Sequence, residues 1–251
     1  MLYKIDTLIG GDIVSEGGKI GTVSDVLFDD REWVIRYLVV DTGDWLSSRK
    51  TLISPRSLLK PKFDESVFPV KLTRKQIENS PPISADEPVS RQHEIEFLGY
   101  YGLDPYFITT ARGPVGEPPV PLTEETPSKL EENDKTAVKE PDPHLRSAKH
   151  VTGYHIQATD EEIGHVEDFF VDDESWTVRY MVIDTRNWLP GKKVVLAKDW
   201  IEKVSWEESK VFVSVARETV KNSPEYIPSS PLTREYEIQL YKYYQRPTYW
   251  E

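Results

Sequence analysis

The chain of 251 residues carries a formal charge of −12, 19 prolines and no cysteine, with 38% hydrophobic residues. The lack of cysteine excludes disulfides, thiol nucleophiles, zinc–thiolate sites and iron–sulfur clusters, and the acidic balance disfavours phosphate backbones and anionic lipid surfaces. No apolar run reaches the roughly 18 residues of a membrane span, and Met1-Leu2-Tyr3-Lys4-Ile5-Asp6 has neither the charged nor the apolar region of a signal peptide, so a cytoplasmic location is expected.

In chain order, residues 12–15 and 19–29 flank Gly17-Gly18 and predict a β-hairpin. Asp29-Asp30-Arg31-Glu32 makes a second turn. Residues 33–41 are β-branched and aromatic on both faces, as in a strand buried on both sides. Another strand follows at 50–54, then a last hairpin from 58–63 and 67–72 around Asp64-Glu65-Ser66. Thr73 opens a short helix ending at Asn79, with Pro81 as a stop, and a second helix begins near Ser90. Residues 111–149 are rich in proline and charge and read as a flexible linker, the alternative being a short helix over 128–138.

The same pattern then returns at a constant offset of about 143 positions, far beyond the period of a solenoid repeat. Gly21-Thr-Val-Ser-Asp25 becomes Gly164-His-Val-Glu-Asp168, Trp33 becomes Trp176, and Arg36-Tyr37 becomes Arg179-Tyr180. Asp41-Thr42 becomes Asp184-Thr185, Trp45-Leu46 becomes Trp188-Leu189, and Asn79-Ser-Pro81 becomes Asn222-Ser-Pro224. Copy two opens its short helix at Ala216 and its second near Thr233. This is a duplicated domain: a first copy over 1–110, the linker at 111–149, and a second copy over 150–251. Residues 10–81 and 153–224 should share one fold. Short strands joined by hairpins predict a mainly β chain of two small barrels, each followed by short helices. Each copy ends in an aromatic-rich helix, with Ile95, Phe97, Leu98, Tyr100 and Tyr101 in the first. Ile238, Leu240, Tyr241, Tyr243, Tyr244, Tyr249 and Trp250 follow in the second. That much apolar surface suggests terminal segments joining the copies in a pseudo-twofold pair, the alternative being that each tail caps its own barrel.

Gly21-x-Val23-x-Asp25, Asp29 and then Arg36-Tyr-Leu-Val-Val40 resemble the PRC-barrel family. That family includes the cytoplasmic domain of the photosynthetic reaction-centre H subunit and the C-terminal domain of the ribosome-maturation factor RimM. The second copy looks like a subgroup of tandem PRC-barrel proteins. The run through Val151-Thr-Gly-Tyr154, Ile163-Gly-His-Val-Glu-Asp168, Asn222-Ser-Pro-Glu-Tyr226 and the Tyr243-Tyr-Gln-Arg-Pro-Thr-Tyr-Trp250 tail carries that likeness. It implies a fold more than a function, because function belongs to sites.

No catalytic, cofactor-binding or metal site is expected from motifs: there is neither a Gly-x-Ser-x-Gly elbow nor a phosphate-binding glycine loop. Asp29-Asp30 and Asp172-Asp173 should cap backbone N–H groups in turns. Asp25, Asp41, Asp168 and Asp184 should pair with Arg36 and Arg179. His155 and His165 lie on facing strands and, with Glu167 or Asp168, form the one candidate metal cluster. Trp33, Trp45, Trp176 and Trp188 read as core rather than as ligand-stacking platforms. The expectation is a non-enzymatic cytoplasmic interaction or scaffold protein with a protein partner or self-association, without cofactor or nucleic acid. Any membrane contact would be peripheral, through a partner. The alternatives are an accessory role at a membrane redox complex and, more weakly, small-molecule binding between the barrels.

Overall fold

The computed structural model describes residues 1–46, 49–81, 89, 91–107, 144–185 and 192–250. Met1–Glu78 and His144–Glu251 form one compact unit, and Asn79–Pro143 another. Along the chain the elements are β1 (Leu2–Lys4), α1 (Ile5–Leu8), β2 (Asp12–Ser15), β3 (Gly18–Asp29), β4 (Ile35–Asp41), β5 (Lys50–Ile53), β6 (Val67–Pro69), α2 (Arg74–Glu78) and α3 (Arg91–Tyr100). The second half has β7 (Leu145–Ser147), α4 (Ala148–Val151), β8 (His155–Gln157), β9 (Glu162–Asp172), β10 (Val178–Asp184), β11 (Lys193–Ala197), β12 (Ile201–Ser205), β13 (Lys210–Val213), α5 (Arg217–Lys221) and α6 (Arg234–Tyr244).

The chain is mainly β, with one sheet per copy. The first runs β5-β4-β3-β2-β6 and the second β11-β10-β9-β8-β13-β12. The expected turn at Gly17-Gly18 forms, with Ser15 paired to Gly18 across it. The central strands β4 and β10 are largely buried on both faces, Tyr37 and Tyr180 completely so, as their β-branched and aromatic runs require. This is the expected mainly β pair of barrel-like domains, although neither sheet closes on itself. One expectation is corrected. The strands are not all joined by hairpins, because β2 pairs β6 in parallel (Asp12 with Val67) and β8 pairs β13 in parallel (His155 with Lys210).

Glycine is required where β3 and β9 bend past β4 and β10. A side chain at Gly164, whose φ is +126°, would put its Cβ 2.1 Å from the Asp184 carbonyl oxygen, and one at Gly21 would sit 2.2 Å from that of Asp41. Both glycines lie in the repeated Gly-x-Val-x-Asp motif, so the motif encodes a close backbone approach.

The sheets also trade strands. β1 of copy one adds antiparallel to β9 of copy two, pairing Leu2 with Asp172, Tyr3 with Val171 and Lys4 with Phe170. β7 of copy two adds to β3 of copy one, pairing Leu145 with Asp29, Arg146 with Phe28 and Ser147 with Leu27. Residues 144–149, which composition places in the linker, therefore form an ordered strand and enter a helix. Residues 111–143, the rest of the expected linker, lie outside the described residues, as do 108–110 at the end of copy one.

The second unit contains α3. Within it Phe97 and Tyr101 meet edge to face at 4.8 Å, and the Tyr106 hydroxyl donates to Glu94 at 2.8 Å.

Candidate functional site

The exchange brings chemistry-bearing residues together, and its bonds are reciprocal at the repeat offset. Asp173 N–H donates to the Met1 carbonyl at 3.0 Å, and Asp30 N–H to that of His144 at 2.9 Å. Asp6 N–H donates to Asp168 at 3.3 Å, and Lys149 N–H to Asp25 at 3.3 Å. Between the arms, Ile35 N–H donates to the Trp176 carbonyl at 2.8 Å and Val178 N–H to that of Trp33 at 2.7 Å. Reciprocal contacts of this kind are those of an isologous dimer, here within one chain. Trp33 and Trp176 carry them with φ of 59° and 56°, an unusual conformation for so bulky a residue, held at the same place in both copies.

Each arm is anchored by apolar burial. Ile5 and Leu8 of α1 are buried and α1 packs against β9; Ala148 and Val151 of α4 are buried and α4 packs against β3. A buried leucine or isoleucine contributes roughly 1.5–3 kcal/mol, so each docked arm is a substantial share of its partner's core. The arms differ in the ring face they use. Tyr3 stacks on Phe63 with centroids 3.9 Å apart, whereas at the matching position Arg146 lies 4.1 Å over Trp206 and pairs with Asp30 at 2.9 Å.

The first arm forms one wall of a cleft of about 780 Å³, with Phe63, Asp64 and Ser66 of copy one beside it. The opposite wall is the irregular stretch Pro228–Thr233 of copy two, with Tyr226, Arg234, Glu237 and Tyr249. Such a volume falls within the range of small-molecule pockets, roughly 300–1,000 Å³.

Glu237 closes the floor of the cleft. It is 2% exposed and accepts hydrogen bonds from the Tyr180 hydroxyl at 2.7 Å and the Tyr249 hydroxyl at 2.9 Å, with Arg234 3.1 Å away. Burial, reinforced by the Glu237 carboxylate, pushes the Tyr249 phenol up to about 12 and raises Tyr180 further. Both phenols stay protonated as donors. The Arg234 guanidinium also lies 4.0 Å over the Trp250 ring. Lys4 projects its ammonium over Tyr226, 5.3 Å from the ring centre, and makes no ion pair among the described residues. Behind the arm, burial pushes Asp168 up to about 6, against the opposing pull of the Phe169 and Asp6 N–H groups and of Lys4.

The sequence-predicted residues fall as follows. Asp29 accepts from the N–H groups of Arg31 and Glu32 at 3.0 and 3.1 Å, and Asp172 from that of Ser175 at 2.7 Å, so these are turn caps as expected. The pairing of the other aspartates with arginine is corrected. Arg36 meets Glu32 and Arg179 lies 4.3 Å over Tyr249, while Asp25 accepts from Ser147 at 2.5 Å and Asp184 lies 3.5 Å from Lys193. Asp25 and Asp168 are claimed by the arms, which composition alone does not reveal, and Asp41 accepts from the Gly43 N–H at 2.9 Å. His155 and His165 face each other as ladder partners, but His155 turns to Glu162 at 2.9 Å and His165 lies 3.8 Å from Asp184. Glu167 meets Lys193 and Asp168 caps the arm, so neither joins the histidines. Among the described residues no three acidic or imidazole side chains cluster as metal ligands would. Trp33 is buried, and Trp45 lies under Arg74 at 5.1 Å; Trp188 lies outside the described residues. The aromatic tail of copy two caps its own sheet, with Tyr241 and Tyr244 on Trp200 at 5.5 and 4.4 Å. The N-terminal arms link the two sheets.

Sequence reasoning missed the arms, Glu237 and the cleft. A signal for the arms exists: Leu2, Ile5 and Leu8 recur as Leu145, Ala148 and Val151 at the repeat offset. Among the described residues no helix is long and apolar enough to cross a membrane. Over 77 residues the chain is 36% identical to an uncharacterized protein of Deinococcus radiodurans, a stretch covering 30% of this chain and 27% of that relative. Residues 1–77, from the exchanged arm through the last strand and short helix of copy one, match the PRC-barrel domain family.

Proposed function

We propose that this protein is a non-enzymatic binding or scaffold protein of the PRC-barrel type, acting in the cytoplasm. On this reading the duplicated domain is a dimer made permanent in one chain, and its working surface is the cleft that both copies build. The observation that carries the reading is the composition of that cleft. One wall comes from the arm and turn of copy one and the other from the connector and tail of copy two, so the binding surface exists only in the exchanged assembly. Its ionisable groups suit recognition better than turnover. Glu237 is committed to three donors and its tyrosines are held protonated, which leaves the Lys4 ammonium as an available charge.

The test places a photo-crosslinking amino acid at Thr7 or Ser229 in the cleft, or at Leu59, which is 54% exposed and away from it. Irradiation in the native cells, followed by mass spectrometry, should yield the same polypeptide from both cleft positions and not from Leu59. Equal labelling from all three positions, or none from the cleft, overturns the reading.

A further inference from the structure

The arm leaves one edge of β1 open along the cleft. In an antiparallel ladder, residues alternate between pairs that exchange hydrogen bonds and pairs that do not. Met1 accepts from Asp173, so Met1 and Tyr3 direct their backbone groups at β9. Leu2 therefore directs both its N–H and its carbonyl the other way, and Lys4 its N–H. Leu2, Tyr3 and Lys4 are each half-buried, and among the described residues β1 has no strand partner other than β9. Leu2 and Lys4 both line the cleft. A row of unmet donors and acceptors on a short edge strand is a template for another strand.

The side chains around that edge restrict what would add to it. Tyr3 is half-buried and presents apolar surface to the cleft, backed by Phe63, which is buried and stacked on it at 3.9 Å. Lys4, without an ion pair, stands beside the last open N–H, and Arg234 stands on the far wall, whereas Asp64 lies next to the turn of copy one. An acidic side chain is favoured opposite Lys4 and disfavoured near Asp64, which gives the site a polarity.

We propose that the cleft binds an extended peptide segment of a partner protein, which adds as a strand to the open edge of β1. The segment places a carboxylate on Lys4 and an apolar or aromatic side chain against Tyr3. This deepens the binding role proposed above and rests on it.

The probe is a fluorescein-labelled heptapeptide that alternates valine and glutamate around a central phenylalanine, titrated against the full chain by fluorescence anisotropy. Saturable binding is expected. Measured against Leu2→Ala, which removes the same side chain, Leu2→Pro removes the outward N–H and leaves the bonds of Met1 and Tyr3 to β9, so it should weaken binding roughly ten-fold further, the loss of about one hydrogen bond. N-methylation of alternate peptide amides should do the same, and Lys4→Glu should abolish binding to the acidic probe. Lys4→Glu keeps the test decisive if Leu2→Pro undocks the arm, which an unchanged thermal midpoint would exclude. No saturable binding by the intact chain overturns the proposal, as does binding indifferent to peptide N-methylation. If crosslinking from Thr7 and Ser229 still captures a partner in that case, the cleft remains the binding surface and strand addition alone is wrong. A preference for a small aromatic acid over the peptide also overturns it.

Discussion

Replacing Glu237 with leucine should destabilise copy two by about 3–4 kcal/mol. Its carboxylate, 2% exposed, is the acceptor for the Tyr180 and Tyr249 hydroxyls. The Tyr180 hydroxyl is buried, and losing a charged acceptor there costs roughly 1.5–3 kcal/mol. The Tyr249 bond is partly solvated and contributes about 1 kcal/mol. Arg234 is 48% exposed, so its ion pair adds only about 0–1 kcal/mol after screening by solvent. Leucine recovers part of this by apolar burial, yet the net loss is a large part of a total stability of roughly 5–15 kcal/mol. Tyr180→Phe leaves Glu237 with two of its partners and should cost about 1–2 kcal/mol. The assay is urea unfolding followed by tryptophan fluorescence, run as a double-mutant cycle. A coupling of about 1–2 kcal/mol between the two sites is expected. If Glu237→Leu costs under about 1 kcal/mol, or the cycle shows no coupling, the carboxylate does not hold the terminal helix on its sheet.

Gly164→Ala forces a Cβ to within 2.1 Å of a backbone carbonyl at a φ of +126°, and should cost at least about 3 kcal/mol of unfolding free energy in denaturant titration, as should Gly21→Ala. A loss near that of an ordinary glycine in a strand would show that β9 and β10 do not approach so closely. The Asp168 pKa is raised to about 6 in the folded chain, above the ordinary 3.8. The folded state therefore favours its protonated form. The contribution is fully present below about pH 4 and is lost as pH rises through 6, on the order of 2–3 kcal/mol. Asp168→Asn, which can accept the same two N–H bonds, should gain stability relative to the parent chain between pH 4 and 8; parallel pH profiles would contradict the assignment.

The strands and short helices could be read from alternation, turns and caps, because those signals are local. The trap was locality itself. Leu2–Lys4 and Leu145–Ser147 are three-residue strands, too short for a pattern to declare them, and each is stabilised by a sheet from the other copy. Residues 144–149 read as linker because they are polar, yet Arg146 and Ser147 use that polarity to meet Asp30 and Asp25 across the exchange. The same trade explains why Asp25 and Asp168 escape the arginines of their own copies. Glu237 sits in the first turn of its helix, where an acid is ordinary; its burial follows only from the fold of the tail back over Tyr180. The aromatic run of copy two declares a packing surface, but a sequence does not show that it covers Trp200 and Tyr180 of its own copy rather than the other copy.

Strand exchange is the central claim, and a disulfide tests it most directly. Leu2 and Asp172 face each other at a position without mutual hydrogen bonds, where side chains lie closest, and the chain has no cysteine to interfere. Leu2→Cys with Asp172→Cys is combined with a protease site inserted between residues 125 and 126, and the chain is oxidised and then cleaved. The exchanged structure predicts that the two fragments run as one covalent species without reductant and separate with it. Fragments that separate without reductant, each with a free thiol, would contradict it.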